Sequence, residues 1–450
     1  MKTPFHITKN SSRCELLMPT EIREILRLAQ INHLEVIPLI QTFGHMEFVL
    51  KHKEFAHLRE IPMYPNSLNP HREESHQLLH AMIRQVMELH PGLRWLHIGS
   101  DEVYYLGEGE ESKKYFSKNG HTVEDLFICH LKKVASHVVS TYPGVKLISW
   151  DDMLRGASAQ KLTGGVEGDS TILIVMCLEK LDAWHFSLCC FLSWLDSGVT
   201  KLVEPMIWDY TPNLDVENRV ALIEKYSQSG FQKIWLASAF KGATGTSQQL
   251  TLSDITWKTT NVGYRWYRRY PMIFCRDWPS LAGRVLCELL PVGIPSLAVC
   301  LQTLKNGAYS DQVAASVQNV LGMSSLDTEN YTCEASGSFP GSDVLILITQ
   351  ILFFLKAPTQ EFLERNRFVM ARFTEREKTM IHPIMVQQIE PEAVSLLSNW
   401  TLLLGDLQAA LLKIFPDVTV DEWIEEHLMP YYVQLQQLVQ DLNTALENQT

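Results

Sequence analysis

From Thr20 onward the chain alternates between two hydrophobic rhythms. Ile22, Ile25, Leu26 and Ala29 recur at helical spacing, and the run Leu34 to Ile40 that follows is short, apolar and contains β-branched residues, as a strand requires. The alternation then repeats. Leu78, Leu79, Met82, Ile83, Val86 and Leu89 line one face of a helix starting near Ser75; Pro91-Gly92 ends it, and a strand is expected over 93–99. Val123, Phe127, Leu131, Val134 and Val138 predict the next helix and Val145 to Ser149 the next strand. Strands near 202–208 and 233–239 flank a helical segment around Val216 to Tyr226. This order predicts a parallel sheet covered by helices, in the manner of a (β/α) barrel.

Beyond Arg284 the rhythm is helical only. Val344 to Leu355 is almost continuously apolar, Val394, Leu397, Thr401 and Leu404 keep the period, and Leu428, Tyr431, Tyr432, Leu435, Leu438, Val439 and Leu442 trace a stripe. Such stripes read as core faces. The turn-rich Gly337-Ser338-Phe339-Pro340-Gly341-Ser342 is expected to separate the barrel from these helices.

Composition narrows the function classes. With 450 residues, 46% hydrophobic and 20% charged, the chain is long enough for one large α/β domain and a helical one. A net charge of -12 disfavours a nucleic-acid or anionic-membrane binder, since both need clustered positive charge. Nine cysteines show no Cys-x-x-Cys pair, so reduced thiols in a cytoplasmic or nuclear protein are expected. The start, Met1-Lys2-Thr3-Pro4-Phe5-His6, lacks the apolar core of a signal peptide, which agrees with that compartment. The apolar segment 168–197 is interrupted by Glu179, Lys180 and Asp182 and falls short of the ~20 residues a span needs, and elsewhere the apolar runs are also too short, so no membrane crossing is expected. Its Cys177, His185, Cys189 and Cys190 match no zinc spacing.

The chemistry points to 93–102, where an apolar strand ends in two adjacent carboxylates, Asp101 and Glu102. Side chains alternate along a strand, so both acids can face one ligand only where the strand has ended, which is where (β/α) barrels expose their chemistry. Gly99 leaves room beside them, and Tyr104 and Tyr105 carry aromatic lining into the next loop. Two solvated acids at a strand end are the ordinary alternative. Trp150 before Asp151-Asp152 and Trp208 before Asp209-Tyr210 are each either core or an aromatic platform for a ligand, and His45 after Phe43-Gly44 is either a buried, hydrogen-bonded histidine or a ligand contact.

The full His97-Ile98-Gly99-Ser100-Asp101-Glu102 pattern resembles the active-site signature of family 20 glycoside hydrolases, the β-N-acetylhexosaminidases. The likeness extends to Val36 through Glu47, Ser149 through Met153, Trp208-Asp209-Tyr210 and Ala237 through Ala243. It implies that Glu102 is the general acid and that Asp101 orients the substrate's acetamido group, whose own carbonyl oxygen attacks the anomeric carbon with retention. It further implies that His45, His97, Trp150, Trp208 and Tyr210 contact substrate, that no metal or other cofactor takes part, and that the ligands are N-acetylgalactosamine- or N-acetylglucosamine-terminated glycosides. A homodimer is the oligomer to consider.

By the family pattern the run ending at His45 is the third of eight strands, so the expected fold is a TIM-like (β/α)8 barrel lacking its first two strands. Five strands are legible, the eighth is replaced by the unusual segment 246–283, and 168–197 is an insert. The expected domains are a catalytic barrel over 15–335 and a helical domain over 336–450. Two other functions stand beside hydrolysis. One is a catalytically impaired barrel or interaction protein from a truncated or alternatively spliced transcript; the other is a metal-dependent hydrolase using His45, His97, Asp101 and Glu102.

Overall fold

The computed structural model describes residues 18–119, 121–163, 198–209, 215–238, 273–275, 290–324, 326, 337–366 and 383–447. These fall into two compact units, the first holding the described residues up to Trp208 and 215–236, the second the remainder.

In the first unit a small antiparallel hairpin, β1 (Arg59–Ile61) and β2 (Tyr64–Leu68), precedes the main sheet. The sheet then takes its strands in chain order: β3 (Trp95–His97), β4 (Lys146–Trp150), β5 (Val203–Trp208) and β6 (Trp235–Ser238). β3 pairs with β4 in parallel, His97 opposite Ile148, and β4 with β5, Trp150 opposite Met206. Helices Glu73–Leu89, Val123–Thr141 and Val216–Gln228 intervene, as a barrel of alternating strands and helices requires. Leu96, Ile98, Leu147, Ile148 and Trp150 are all buried, as expected where parallel strands are covered on both faces.

Two strands differ from the sequence expectation, each for a local reason. The run 34–40 makes only a single parallel bridge, Leu39 to His97, with Ile40 N donating to His97 O at 2.9 Å and His97 N to Pro38 O at 2.9 Å. Pro38 has no N–H to extend the ladder, and His33 just upstream is left-handed at φ 55°. The strand at 93–99 stops at His97, because Gly99 and Ser100 turn left-handed at φ 63° and 69°. Segment 246–283 supplies a strand that was not expected, β7 (Ile273–Cys275). The rest of that segment and the insert 168–197 lie outside the described residues.

The helices start where their polar residues dictate. Thr122 and Asp125 form a reciprocal cap on Val123–Thr141, Asp125 Oδ2 accepting from Thr122 N at 2.8 Å. Asp215 caps Val216–Gln228 by accepting from Asn218 N at 3.1 Å. Between Glu73–Leu89 and Val123–Thr141 sits an unusual set of histidines. His80 stacks on His137 at 3.4 Å, His76 lies 5.4 Å from His130, and His130 stacks on Phe43 at 3.9 Å. His76 and His130 satisfy their Nε2 atoms on the carbonyls of Pro70 and Thr42, at 3.1 and 3.0 Å.

The second unit is helical. Val299, Val317, Leu321, Val344, Ile348, Trp400, Trp423, Leu435 and Leu442 share one core. Helices Leu290–Asn306 and Asp311–Leu321 therefore pack with the C-terminal helices, earlier in the chain than the expected boundary at 335 and 336. The turn 337–342 lies within this unit, not between two domains: Phe339 is buried in its core and Ser338 N donates to Leu321 O at 2.8 Å. The helical stretch Ser342–Arg365 is, by length and composition, apolar enough to cross a membrane, contrary to the expectation from run length. Its Val344, Ile348, Ile351, Leu355 and Phe362 instead face the helical core.

Burial holds His76 down at about 4 and His130 well below the ordinary histidine value of 6.5. A histidine with a lowered folded value stabilises fully above its unfolded value and loses that contribution as pH falls toward the folded one. Asp152, raised to about 6, and Glu60 and Asp151, also raised by burial, act in the opposite sense, but the more numerous histidines His71, His80, His137 and His427 are lowered along with His76 and His130. The melting temperature should therefore fall between about pH 7.5 and about pH 5, and His76→Gln should flatten that slope even if it lowers stability throughout. A melting temperature that rises over the same range would contradict this accounting.

Candidate active site

The carboxylates of Asp101 and Glu102 reach the same side because the backbone around them is bent the rare way. Gly99, Ser100, Glu102 and Tyr105 all have positive φ, at 63°, 69°, 46° and 60°. For non-glycine residues this conformation costs about 1–2 kcal/mol each, so surrounding bonds must hold it. Gln41 does much of that: its Oε1 accepts Ser100 N at 3.1 Å while its Nε2 donates to Asp101 Oδ1 at 2.8 Å. Asp152 Oδ2 accepts Glu102 N at 2.8 Å. Thr42 Oγ1 donates to Ile98 O at 2.8 Å and lies 3.0 Å from Ser100 Oγ.

Two glycines let these segments approach. A Cβ on Gly99 would stand 2.0 Å from Gln41 Oε1, and one on Gly44 would stand 2.2 Å from Asp101 O. Gly44 thereby brings His45, itself left-handed at φ 52°, over both acids. His45 Nε2 lies 3.2 Å from Glu102 Oε2 and 3.6 Å from Asp101 Oδ2. Its side chain is 33% exposed against 5% for Asp101, so the cluster opens on the histidine's side.

The end of β4 carries a second acid pair with divided duties. Asp151 is fully buried and gripped by Arg155, Nε to Oδ2 at 2.8 Å and Nη2 to Oδ1 at 2.7 Å, and it accepts from Tyr226 OH at 3.2 Å. Arg155 also donates to Trp208 O at 2.7 Å and lies over the Trp208 ring at 5.2 Å. Asp152 faces the site and accepts Trp208 Nε1 at 3.3 Å. Its value is pushed up to about 6, by burial first and then by the charges of Asp101 and Asp151, against the hydrogen bonds from Glu102 and Trp208.

The other expected site residues divide by burial. His97 is buried, its Nδ1 accepts Gly99 N at 3.0 Å, and its ring lies 4.4 Å from Trp150. Trp150 is itself buried beneath the strand ends. Trp208 is half-buried at the end of β5. Tyr210 lies outside the described residues. Tyr104 and Tyr105 are exposed, and Tyr105 stacks on Tyr64 at 4.9 Å. The Tyr104 phenol is pushed up to about 12, by burial first, then by its hydrogen bond to Glu102 and that carboxylate's charge. Gln41, Asp152 and Arg155 were given no role by the sequence reading. Gln41 and Asp152 do lie within stretches that carry the family likeness, one just after the Leu39 bridge and the other just after β4, on either side of β3.

A model of the glycosyl hydrolase family 20 catalytic domain matches residues 4–173. Hexosaminidase D of Homo sapiens is 45% identical over 435 residues, spanning 94% of this chain and 82% of the relative. Hexosaminidase D of Bos taurus is 46% identical over 319 residues, spanning 70% of this chain and 83% of the relative. A solved β-N-acetylhexosaminidase from Bacteroides fragilis aligns at 14% identity and a TM-score of 0.41, over 63% of this chain and 51% of that one, which is too remote to add to the argument. Identity at this level along nearly the whole chain, joined to a pair of carboxylates at a barrel strand end, means that the chain belongs to glycosyl hydrolase family 20, in its hexosaminidase D branch, and is a glycoside hydrolase.

Proposed function

We propose that the chain is a retaining exo-β-N-acetylhexosaminidase that removes terminal N-acetylgalactosamine or N-acetylglucosamine. The observation that carries this reading is the convergence of Asp101, Glu102 and His45, whose polar atoms lie within 4.8 Å of one another. An inverting pair needs about 6.5–9.5 Å between carboxylates to admit a water, so these acids are too close for that geometry. Asp101, buried and held by Gln41, is better suited to accept an acetamide N–H than to attack carbon. The substrate's acetamido oxygen then supplies the nucleophile. Glu102 in its acid form protonates the leaving oxygen, and as a carboxylate it later takes a proton from the water that opens the cyclic intermediate.

His45, within 3.2 Å of Glu102 and 3.6 Å of Asp101, orients both carboxylates. Trp208 offers an indole face to the sugar, and Tyr210 is the candidate donor to the acetamido carbonyl. A cytoplasmic and nuclear site of action is the compartment favoured by nine cysteines with no Cys-x-x-Cys pair among them. A barrel that binds without turnover is the second reading. It requires affinity for a thiazoline analogue of the cyclised substrate with no hydrolysis of chromogenic β-N-acetylgalactosaminide or β-N-acetylglucosaminide.

Replacing Glu102 by Gln should lower kcat by about 10²- to 10⁴-fold on substrates with poor leaving groups and by less on activated aryl glycosides. Unchanged turnover on the poor leaving groups would sink the assignment. Asp101→Asn should weaken binding of the thiazoline analogue whichever leaving group the assay uses, because the cationic mimic loses its anionic partner; equal affinity in both proteins would speak against substrate assistance.

Asp152 connects pH to the acid's position. Below about 6 it becomes neutral and one of its two N–H partners, Glu102 or Trp208, loses a carboxylate acceptor. The rate should therefore fall on the acid side near that value. In Asp152→Asn the group is neutral at every pH, so kcat should be lower throughout and that acid limb should flatten. An Asn variant that keeps the same limb would assign it to another group.

A further inference from the structure

The same three side chains that serve hydrolysis also have the make-up of a metal site. We propose that His45 Nε2, Asp101 Oδ2 and Glu102 Oε2 bind a zinc ion, and that zinc held there shuts the hydrolytic site; the inhibition, though not the binding, rests on the reading of Asp101 and Glu102 as the working acids.

Donor type and spacing both favour zinc. One imidazole nitrogen with two carboxylate oxygens is a set that zinc accepts, whereas magnesium and calcium prefer oxygen alone. Zinc bonds of about 2.0–2.2 Å in a tetrahedron place neighbouring ligand atoms about 3.4 Å apart. Nε2 lies 3.2 Å from Oε2 and 3.6 Å from Oδ2, on either side of that spacing, and all three groups offer atoms within 4.8 Å of one another. The ligands therefore need only small side-chain rotations to close on an ion.

The surroundings orient the ligands. Gln41 holds Asp101 Oδ1 and so turns Oδ2 toward His45, the outer-shell arrangement that usually aims a metal-binding carboxylate. The backbone of Glu102 is fixed through Asp152. The partly exposed face of His45 leaves a route for an ion and a fourth position for water. His97 lies outside the group of ligand atoms that His45, Asp101 and Glu102 form, its Nδ1 accepting Gly99 N and its ring packing on Trp150. A bound ion would occupy the oxygen through which Glu102 delivers its proton and would neutralise the charge with which Asp101 receives the acetamide. Zinc and substrate exclude one another.

Calorimetric titration of the full chain with zinc chloride, and separately with magnesium chloride, tests the site without reference to turnover. One zinc ion should bind, magnesium should not, and the thiazoline analogue should displace the zinc. His45→Asn and the near-isosteric Glu102→Gln should each weaken zinc binding by about tenfold or more, with melting curves checking that both variants fold. In the wild-type enzyme zinc should raise KM and leave kcat unchanged, and EDTA should reverse it. A zinc isotherm unchanged in both variants, or no binding at all in an active enzyme, would overturn the site. One zinc bound at these residues in a chain that hydrolyses neither hexosaminide would overturn the hydrolytic reading while leaving the site.

Discussion

Everything at the active end depends on a backbone held where it would not rest by itself. After His97 the chain passes through left-handed conformations at Gly99, Ser100 and Glu102, and only because of this do two consecutive acids address one point. A regular strand would send Asp101 and Glu102 to opposite faces. The bend is kept by hydrogen bonds from outside it, those of Gln41, Thr42 and Asp152, and by the closeness that Gly44 and Gly99 permit. The acids are thus placed by residues on two other strand ends, which is how a barrel turns separate chain segments into one site.

Much of this architecture was legible in the hydrophobic pattern. The helix over Glu73–Leu89 and the strands at 95–97, 146–150, 203–208 and 235–238 lie where the periodicity put them, because burial on both faces enforces apolar runs that sequence displays directly. The run 34–40 misled, since its apolar residues satisfy the pattern while Pro38 withholds the N–H that a longer ladder would use. β7 escaped notice because only three residues of a mixed aromatic and basic segment form it. The grouping of helices 290–321 with the C-terminal core was hidden for another reason: a helix displays an apolar face without saying which partner covers it.

The site was legible in part, and the boundary is physical. Asp101 and Glu102 stand out because two adjacent charges are unusual at the end of an apolar strand, whereas His45 stands out only through the family likeness, since an imidazole after Phe43-Gly44 reads equally as a buried, hydrogen-bonded residue. Gln41 is an amide in a polar loop start, and nothing local distinguishes one that holds both a backbone N–H and a carboxylate from one in solvent. Asp151 and Asp152 look alike in sequence, yet one is spent on the Arg155 clamp and the other faces the acids. Only the third dimension separates them.

The hydrogen bonds of Asp152 reach in two directions. One oxygen receives the indole N–H of Trp208 at 3.3 Å and the other the backbone N–H of Glu102 at 2.8 Å. A single carboxylate therefore spans Trp208 and Glu102, while Arg155 fixes the Trp208 strand end to its own. Under the proposed function, recognition and catalysis would share one relay: an indole pushed from its resting tilt by a badly seated glycan would pull on the peptide that aims Glu102 and misdirect the acid.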